Sequence, residues 1–246
     1  MKIEFLGTGA AWPLPRLNCH CELCSSKDPR DKRKRSSVLV NEKLLLDAGY
    51  DAYEQLKDKD LEKLKAVAIT HEHPDHLAGL PDLDHIYNRS GTLTLYINKK
   101  TWRKVDNVFQ WRKVITFIEP FEEYKVDGLI FSFLPVIHTD SAFGILVNER
   151  GTRFFYAPDM AGLPEETRSL LQEVDLIAFD GSSAAKKDST KGHQSMEKGV
   201  QLAKGLEAKR AYFTHIGHLT LPHASQEAKF GDRNFKLAHD GLEISL

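Results

Sequence analysis

One block of seven residues, Thr70-His71-Glu72-His73-Pro74-Asp75-His76, limits what this chain can fold into more than any other stretch. It follows Lys65-Ala66-Val67-Ala68-Ile69, a short apolar run that reads as a buried strand, and Leu77-Ala78-Gly79-Leu80 opens a helical pattern after it. Ligand-type side chains therefore crowd a strand-to-helix junction. His71 and His73 are two apart and share one face of an extended backbone. Asp75 and His76 come one turn later and can serve a second centre. Imidazole and carboxylate together suit zinc, manganese or iron. One divalent ion needs fewer groups than this, whereas a pair about 3.5–4 Å apart would use them all. The alternative is an exposed histidine-rich loop, against which the strand end before the block argues.

The rest of the chain has to supply a scaffold for such a centre. Its 246 residues, 41% of them hydrophobic, suit one large globular domain over 1–246. A formal net charge of -1 provides no global field to recruit nucleic acid or an anionic membrane, and neither partner is expected. No apolar run reaches bilayer-spanning length. Met1–Gly7 holds an acidic residue and no long apolar core, unlike a signal peptide, so a cytoplasmic location is expected. The sequence is silent on oligomeric state, and a homodimer is compatible with it.

The three cysteines, Cys19, Cys21 and Cys24, are odd in number and lie within six residues. That pattern fits metal binding better than a disulfide framework. Three thiolates at this spacing can surround one tetrahedral zinc; buried or redox thiols are the alternative. His20 is poorly placed between two of them, so a distant histidine is needed, and His218 or His223 could supply it. A closed thiolate-rich site leaves no open position for substrate, so catalysis is not expected there. The basic run Lys27–Arg35 reads as a solvated loop; an RNA-attracting patch lacks interleaved aromatic residues.

Other strand ends deliver further candidates. Gly7-Thr8-Gly9 is a tight turn after the strand Lys2–Leu6. Ser36–Val40 and Lys43–Asp47 read as paired strands across Asn41-Glu42. Asp47 is then either a turn acid or a partner that orients a metal-bound histidine. Helical sequence is expected over Ala52–Leu64, Leu77–Tyr87 and Thr101–Gln110, and strands over Thr92–Ile97 and Lys113–Ile118. His85, Trp102, Phe109 and Trp111 read as packing or surface residues. Leu129–His138 is a long apolar strand that ends in His138, which can project into the cleft of His71. Strands Phe143–Val147 and Thr152–Tyr156 lead to Asp159, either a metal-bridging carboxylate or a turn acid. The strand Val174–Phe179 ends in Asp180-Gly181. A polar loop, Ser182–Gly192, leads to His193, an exposed loop residue or a general acid, and Ser195 caps a helix Met196–Leu206. Arg210–Thr214 delivers His215-Ile216-Gly217-His218, of which one histidine can face a binuclear centre and the other the cysteines. Asn234–Leu237 and Leu242–Ile244 are closing strands.

In chain order Gly7-Thr8-Gly9, the 71–76 block, His138, Asp159 and His215 resemble the metallo-β-lactamase superfamily over nearly the whole chain. Cys19-x-Cys21-x-x-Cys24, Asp159-x-Ala161-Gly162-Leu163-Pro164, Thr214-His215-Ile216-x-His218 and Asp240-Gly241-Leu242-Glu243-Ile244 narrow the likeness to the phosphoribosyl cyclic-phosphate phosphodiesterases of phosphonate breakdown. The resemblance implies an α/β (α+β) fold, an αββα sandwich of two mixed β-sheets flanked by helices. It implies one metal on His71, His73 and His138 and a second on Asp75, His76 and His215, bridged by Asp159, with zinc or manganese as the pair. It further implies a structural zinc on Cys19, Cys21, Cys24 and His218, and a catalytic role for His193 beside the leaving group. The expected activity is hydrolysis of a small, cyclic phosphodiester by a metal-bridging hydroxide. Alternatives are a tRNA 3′-processing nuclease, for which no inserted RNA-grasping arm is visible, a thioester or lactone hydrolase, and an oxidoreductase like the PQQ-biosynthesis B proteins, whose cysteine cluster is similar.

Overall fold

The computed structural model describes residues 1–86, 93–109, 111–183, 192–230 and 232–246. Its strands are β1 (Lys2–Gly7), β2 (Ser37–Val40), β3 (Leu44–Leu46), β4 (Ala66–Ala68), β5 (Thr94–Asn98), β6 (Val114–Ile118), β7 (Glu123–Val126), β8 (Leu129–Pro135), β9 (Phe143–Glu149), β10 (Thr152–Ala157), β11 (Leu176–Asp180), β12 (Ala211–Thr214), β13 (Phe235–Leu237) and β14 (Leu242–Ser245). They form two seven-stranded sheets, β14-β1-β2-β3-β4-β5-β6 and β13-β12-β11-β10-β9-β8-β7. Both sheets change direction in the same way. In the first, β14 through β3 pair antiparallel and β3 through β6 parallel. In the second, β7 through β10 pair antiparallel and β10 through β13 parallel. The chain thus uses one topology twice, although its sequence shows no repeat.

The near-continuous apolar strands are explained by burial on both faces. Alternate residues of the first sheet (Ile3, Phe5, Val38, Val40) meet alternate residues of the second (Phe131, Phe133, Ile145, Phe154) in the central core. The intervening residues face helices. Leu39, Leu45, Val67 and Leu95 pack under α1 (Ala52–Leu56), α2 (Pro74–Leu77), α3 (Leu80–Asp84) and α4 (Lys99–Val105). Phe155, Ile177, Phe179 and Phe213 pack under α5 (Glu165–Leu170), α6 (Met196–Gly205) and α7 (His223–Phe230). This is the expected αββα sandwich. Among the described residues no helix is long and apolar enough to cross a membrane.

Some local expectations are corrected. The helix expected over Ala52–Leu64 ends at Leu56, and turns follow it. The Asp60 carboxylate accepts the Glu62 N–H there, at 3.3 Å, bending the chain so that Leu64 is buried against the sheet. The strand expected to reach His138 stops at Pro135; Val136 still donates to the Ala142 carbonyl, but the Ile137 N–H turns away to the Gly162 carbonyl at 3.0 Å. The basic run is not wholly solvated. Arg33 is buried, donating to Thr8 Oγ1 at 2.8 Å, and Arg35 pairs with Asp51 at 3.1 Å. Tyr87, Thr92, Gln110 and most of the Ser182–Gly192 loop lie outside the described residues.

Candidate metal centre

Parallel strands present their C-terminal ends, with free backbone groups and short loops, at one rim of a sheet, where ligands are commonly bound. Here β3 delivers Asp47, β4 the 71–76 block, β10 Asp159, β11 Asp180 and β12 His215, while the loop after β8 adds His138.

The ring nitrogens converge. His73 Nδ1 lies 2.9 Å from His71 Nε2 and 3.2 Å from His138 Nε2. Asp159 Oδ2 stands 3.4, 4.0 and 3.5 Å from the ligand nitrogens of His71, His73 and His138. A second set shares this carboxylate. His76 Nε2 is 3.1 Å from Asp75 Oδ2 and 3.6 Å from Asp159 Oδ2. His215 Nε2 is 3.4 Å from Asp75 Oδ2 and 2.9 Å from Asp159 Oδ1. Ligands at 2.0–2.1 Å from a tetrahedral zinc stand about 3.3 Å apart, and these separations scatter around that value. His76 Nε2 and Asp159 Oδ1 are buried and, despite these close approaches, make no well-directed hydrogen bond among the described residues. Buried polar atoms left so, all facing one another, suit a cation between them. The residues fit a pair of divalent ions.

The outward ring nitrogens of His71, His76 and His138 are held by the protein, which fixes the tautomer and turns the other nitrogen inward. His76 Nδ1 donates to Asp47 Oδ2 at 2.8 Å, His138 Nδ1 to the Gly192 carbonyl at 2.7 Å, and His71 Nδ1 is 3.0 Å from Thr70 Oγ1. Asp47 also accepts from the Thr70 N–H at 2.8 Å. Of the two readings open for Asp47, the orienting partner is the one its side chain satisfies. Its φ of 61° makes it a turn residue as well. His215 has a similar strained φ of 55°, of the kind that persists where surrounding structure enforces it.

The electrostatics favour positive charge. Burial works against a charged His215, yet the adjoining Asp159 carboxylate raises its pKa to about 10. His76 is likewise raised, with burial outweighed by Asp75 and Asp47. Burial opposes ionisation of Asp159, but His215 and His76 hold it well below the ordinary carboxylate range. His71 goes the other way: burial and the charge of His76 push it down to about 4, leaving a neutral ring able to donate a lone pair.

His193 adjoins both sets. Its ring stacks on His215 with centroids 5.7 Å apart and lies 5.0 Å from the ring of His138. Its Nδ1 donates to Asp180 Oδ2 at 2.7 Å. Burial lowers its pKa, but this hydrogen bond and the charge of Asp180 outweigh burial and hold it above the ordinary histidine value. Asp180 is a site residue that local sequence pattern does not single out. Its signal was the one used for Asp159, an acid at a strand end before glycine.

Cys19, Cys21, Cys24 and His218 form a separate cluster with ligand atoms within 4.8 Å of one another. Cys19 Sγ is 3.6 Å from His218 Nδ1, and the N–H groups of Arg16 and Cys24 point at Cys24 Sγ and Cys21 Sγ, each at 3.4 Å. Burial pushes the Cys24 thiol up to about 11, so a neighbouring cation is needed to ionise it near neutral pH. His223, the other candidate fourth ligand, is elsewhere: its Nδ1 lies 3.1 Å from Arg33 Nη2. His85 is an exposed packing residue, bonded to the Pro81 carbonyl at 2.9 Å.

Known proteins share this fold. The model of the Beta-lactamase superfamily domain matches residues 42–216. The crystal structure of a diphosphatase from the PhnP family superposes with a TM-score of 0.89 and 30% identity, over 99% of this chain and 96% of that one. Coenzyme PQQ synthesis protein B of Methylorubrum extorquens is 25% identical over 301 residues, the whole of both chains. Zinc-bound PqqB from Methylobacterium extorquens superposes with a TM-score of 0.87 at 24% identity, over 100% of each chain. An octanoyltransferase of Porphyromonas gingivalis is 25% identical over 260 residues, and this chain spans only 52% of its length. By the family match, the fold and the PhnP-family likeness, the chain belongs to the β-lactamase superfamily, whose members are mostly metal-dependent hydrolases, and within it to the PhnP family.

Proposed function

We propose that this protein is a binuclear phosphodiesterase acting on a small, cyclic phosphate ester. The observation that carries the reading is the sharing of Asp159 by two convergent ligand sets, with the His193–Asp180 pair alongside. The likeness to a PhnP-family diphosphatase supports phosphorus as the centre attacked. His71, His73 and His138 would hold one ion, Asp75, His76 and His215 the other, and Asp159 both. Two divalent ions held there, zinc or manganese, would supply a water of lowered pKa and positive charge beside the phosphate oxygens. Cys19, Cys21, Cys24 and His218 would hold a structural zinc away from the chemistry.

The chain's own groups do the remaining work. Asp47 and Thr70 keep the ligand histidines in register. Asp180 holds His193 by Nδ1, and the oriented ring would give a proton to the departing alkoxide from Nε2. The raised pKa of His193 supports that role, because a general acid has to be protonated at the working pH.

Turnover of bis(p-nitrophenyl) phosphate and of a ribose cyclic phosphate, against a thioester of similar size, tests the reading. Phosphodiester cleavage with little thioester hydrolysis is expected. Metal-loaded protein that cleaves only the thioester, or neither, contradicts it. The second outcome would favour the PQQ-synthesis relative, whose likeness also spans the whole chain.

A further inference from the structure

Glu72 stands between two ligand histidines, and its carboxylate is engaged elsewhere. It accepts Lys104 Nζ at 2.5 Å, Ser141 Oγ at 2.8 Å and Thr139 Oγ1 at 3.2 Å. Lys104 Nζ also lies 3.2 Å from Asp140 Oδ1 and 3.4 Å from Ser141 Oγ. Three pieces of chain meet in this cluster: the loop after β4, the loop after β8 that carries His138, and α4, which carries Lys104. The Glu72 side chain is only 14% exposed, so its charge is held by these partners rather than by solvent.

The consequence falls on His73. His71, His76, His138 and His215 approach the centre through Nε2, whereas His73 does so through Nδ1. Nδ1 is bonded directly to Cγ and stays close to the backbone. Rotating the side chain cannot compensate for a backbone shift as it can for the distal nitrogen. The outward nitrogens of His71, His76 and His138 are tied to the protein, but the His73 side chain is 43% exposed. The ligand position of His73 is therefore set mainly by its backbone, which is held on one side by its own carbonyl, accepting the His76 N–H at 3.0 Å at the start of α2, and on the other by the fastened Glu72.

We infer that Glu72 and Lys104 are positioning residues, which set the metal affinity of the His71–His73–His138 set by clamping the two ligand loops to α4. The inference rests on the binuclear reading above. Its test measures binding rather than turnover: metal-depleted full-length protein is loaded with Co(II), and the ion is withdrawn by a competing chelator. In Glu72→Ala, one catalytic equivalent should bind about 10–100-fold more weakly, the usual effect of losing a group that orients a metal ligand. Lys104→Met should show part of this loss and Lys104→Arg should restore binding. The second catalytic equivalent and the thiolate-bound ion should keep wild-type affinity. Wild-type affinity at every site in Glu72→Ala and Lys104→Met would overturn the clamp alone. So would equal weakening of both catalytic equivalents with a lowered unfolding temperature, since that describes a general loss of stability. If Glu72→Ala does not fold, Glu72→Gln, which keeps acceptors for Ser141 and Thr139 but no charge for Lys104, is judged by the same outcomes. Wild-type protein that binds fewer than two catalytic equivalents overturns the binuclear reading, and the clamp with it.

Discussion

Asp159 is the residue on which both ligand sets depend, with one oxygen near the first set and the other 2.9 Å from His215. Asp159→Ala should therefore lose metal as well as rate, both measurable on the same sample by mass spectrometry and phosphodiesterase assay; unchanged metal content would remove it from the centre. Asp180 acts one step further out. In Asp180→Asn the rate should fall by about 10²–10⁴, the range for general acid–base catalysis. The pH dependence has a definite sign. Asp180 raises the His193 pKa, and a general acid fails as pH rises through its pKa. Removing the charge should move the basic limb of the pH–rate profile to lower pH, and an unmoved limb would dissociate His193 from proton transfer. Both acids lie at or just past a strand end, which is also where ordinary turn acids occur. The histidine block was legible because its residue types have few other uses at a strand end. Asp47 was legible only as one of two readings and Asp180 not at all, because only the folded arrangement shows which imidazole each one meets.

At the scale of elements, the loops carrying ligands are packed by close backbone approach. A Cβ on Gly49 would stand 1.9 Å from the Asp75 carbonyl oxygen, so the turn after β3 and the ligand block fit only without one. Gly49→Ala should cost about 1–3 kcal/mol, the range for overpacking, and weaken the Asp75–His76–His215 set. Thermal unfolding and metal titration check this; a variant with wild-type stability and affinity would show that the loop simply yields. Most strands were readable, since burial on both faces leaves continuous apolar runs. β7 was missed because Glu123–Val126 is polar and half exposed. Its signal was the Asp127-Gly128 pair, with φ of 43° and 90°, a hairpin dipeptide of the left-handed kind. The segment after α1 was over-read as helix because Leu61 and Leu64 continue an apolar spacing that turns can also satisfy.

The whole molecule brings these elements together by using one sheet topology twice, so that loops distant in sequence share a rim. Neither the doubling nor the meeting of His138 with His71 follows from local pattern; the family resemblance supplied the pairing of ligands that spacing left open. Ions that bind only the folded chain should also stabilise it. An ion at a hundredfold excess over its Kd contributes about 2.7 kcal/mol, so chelation should lower Tm by several degrees, and a Tm indifferent to chelator would contradict the centre. The most direct measurement is metal content by mass spectrometry on wild type and Cys21→Ser, with the phosphodiesterase rate taken on the same samples below the unfolding temperature. Three equivalents in the wild type, and two in Cys21→Ser with most of the turnover retained, are expected of a catalytic pair beside a structural zinc. Fewer than two equivalents in the fully loaded wild type, or a full complement without phosphodiester turnover, would contradict the binuclear phosphodiesterase.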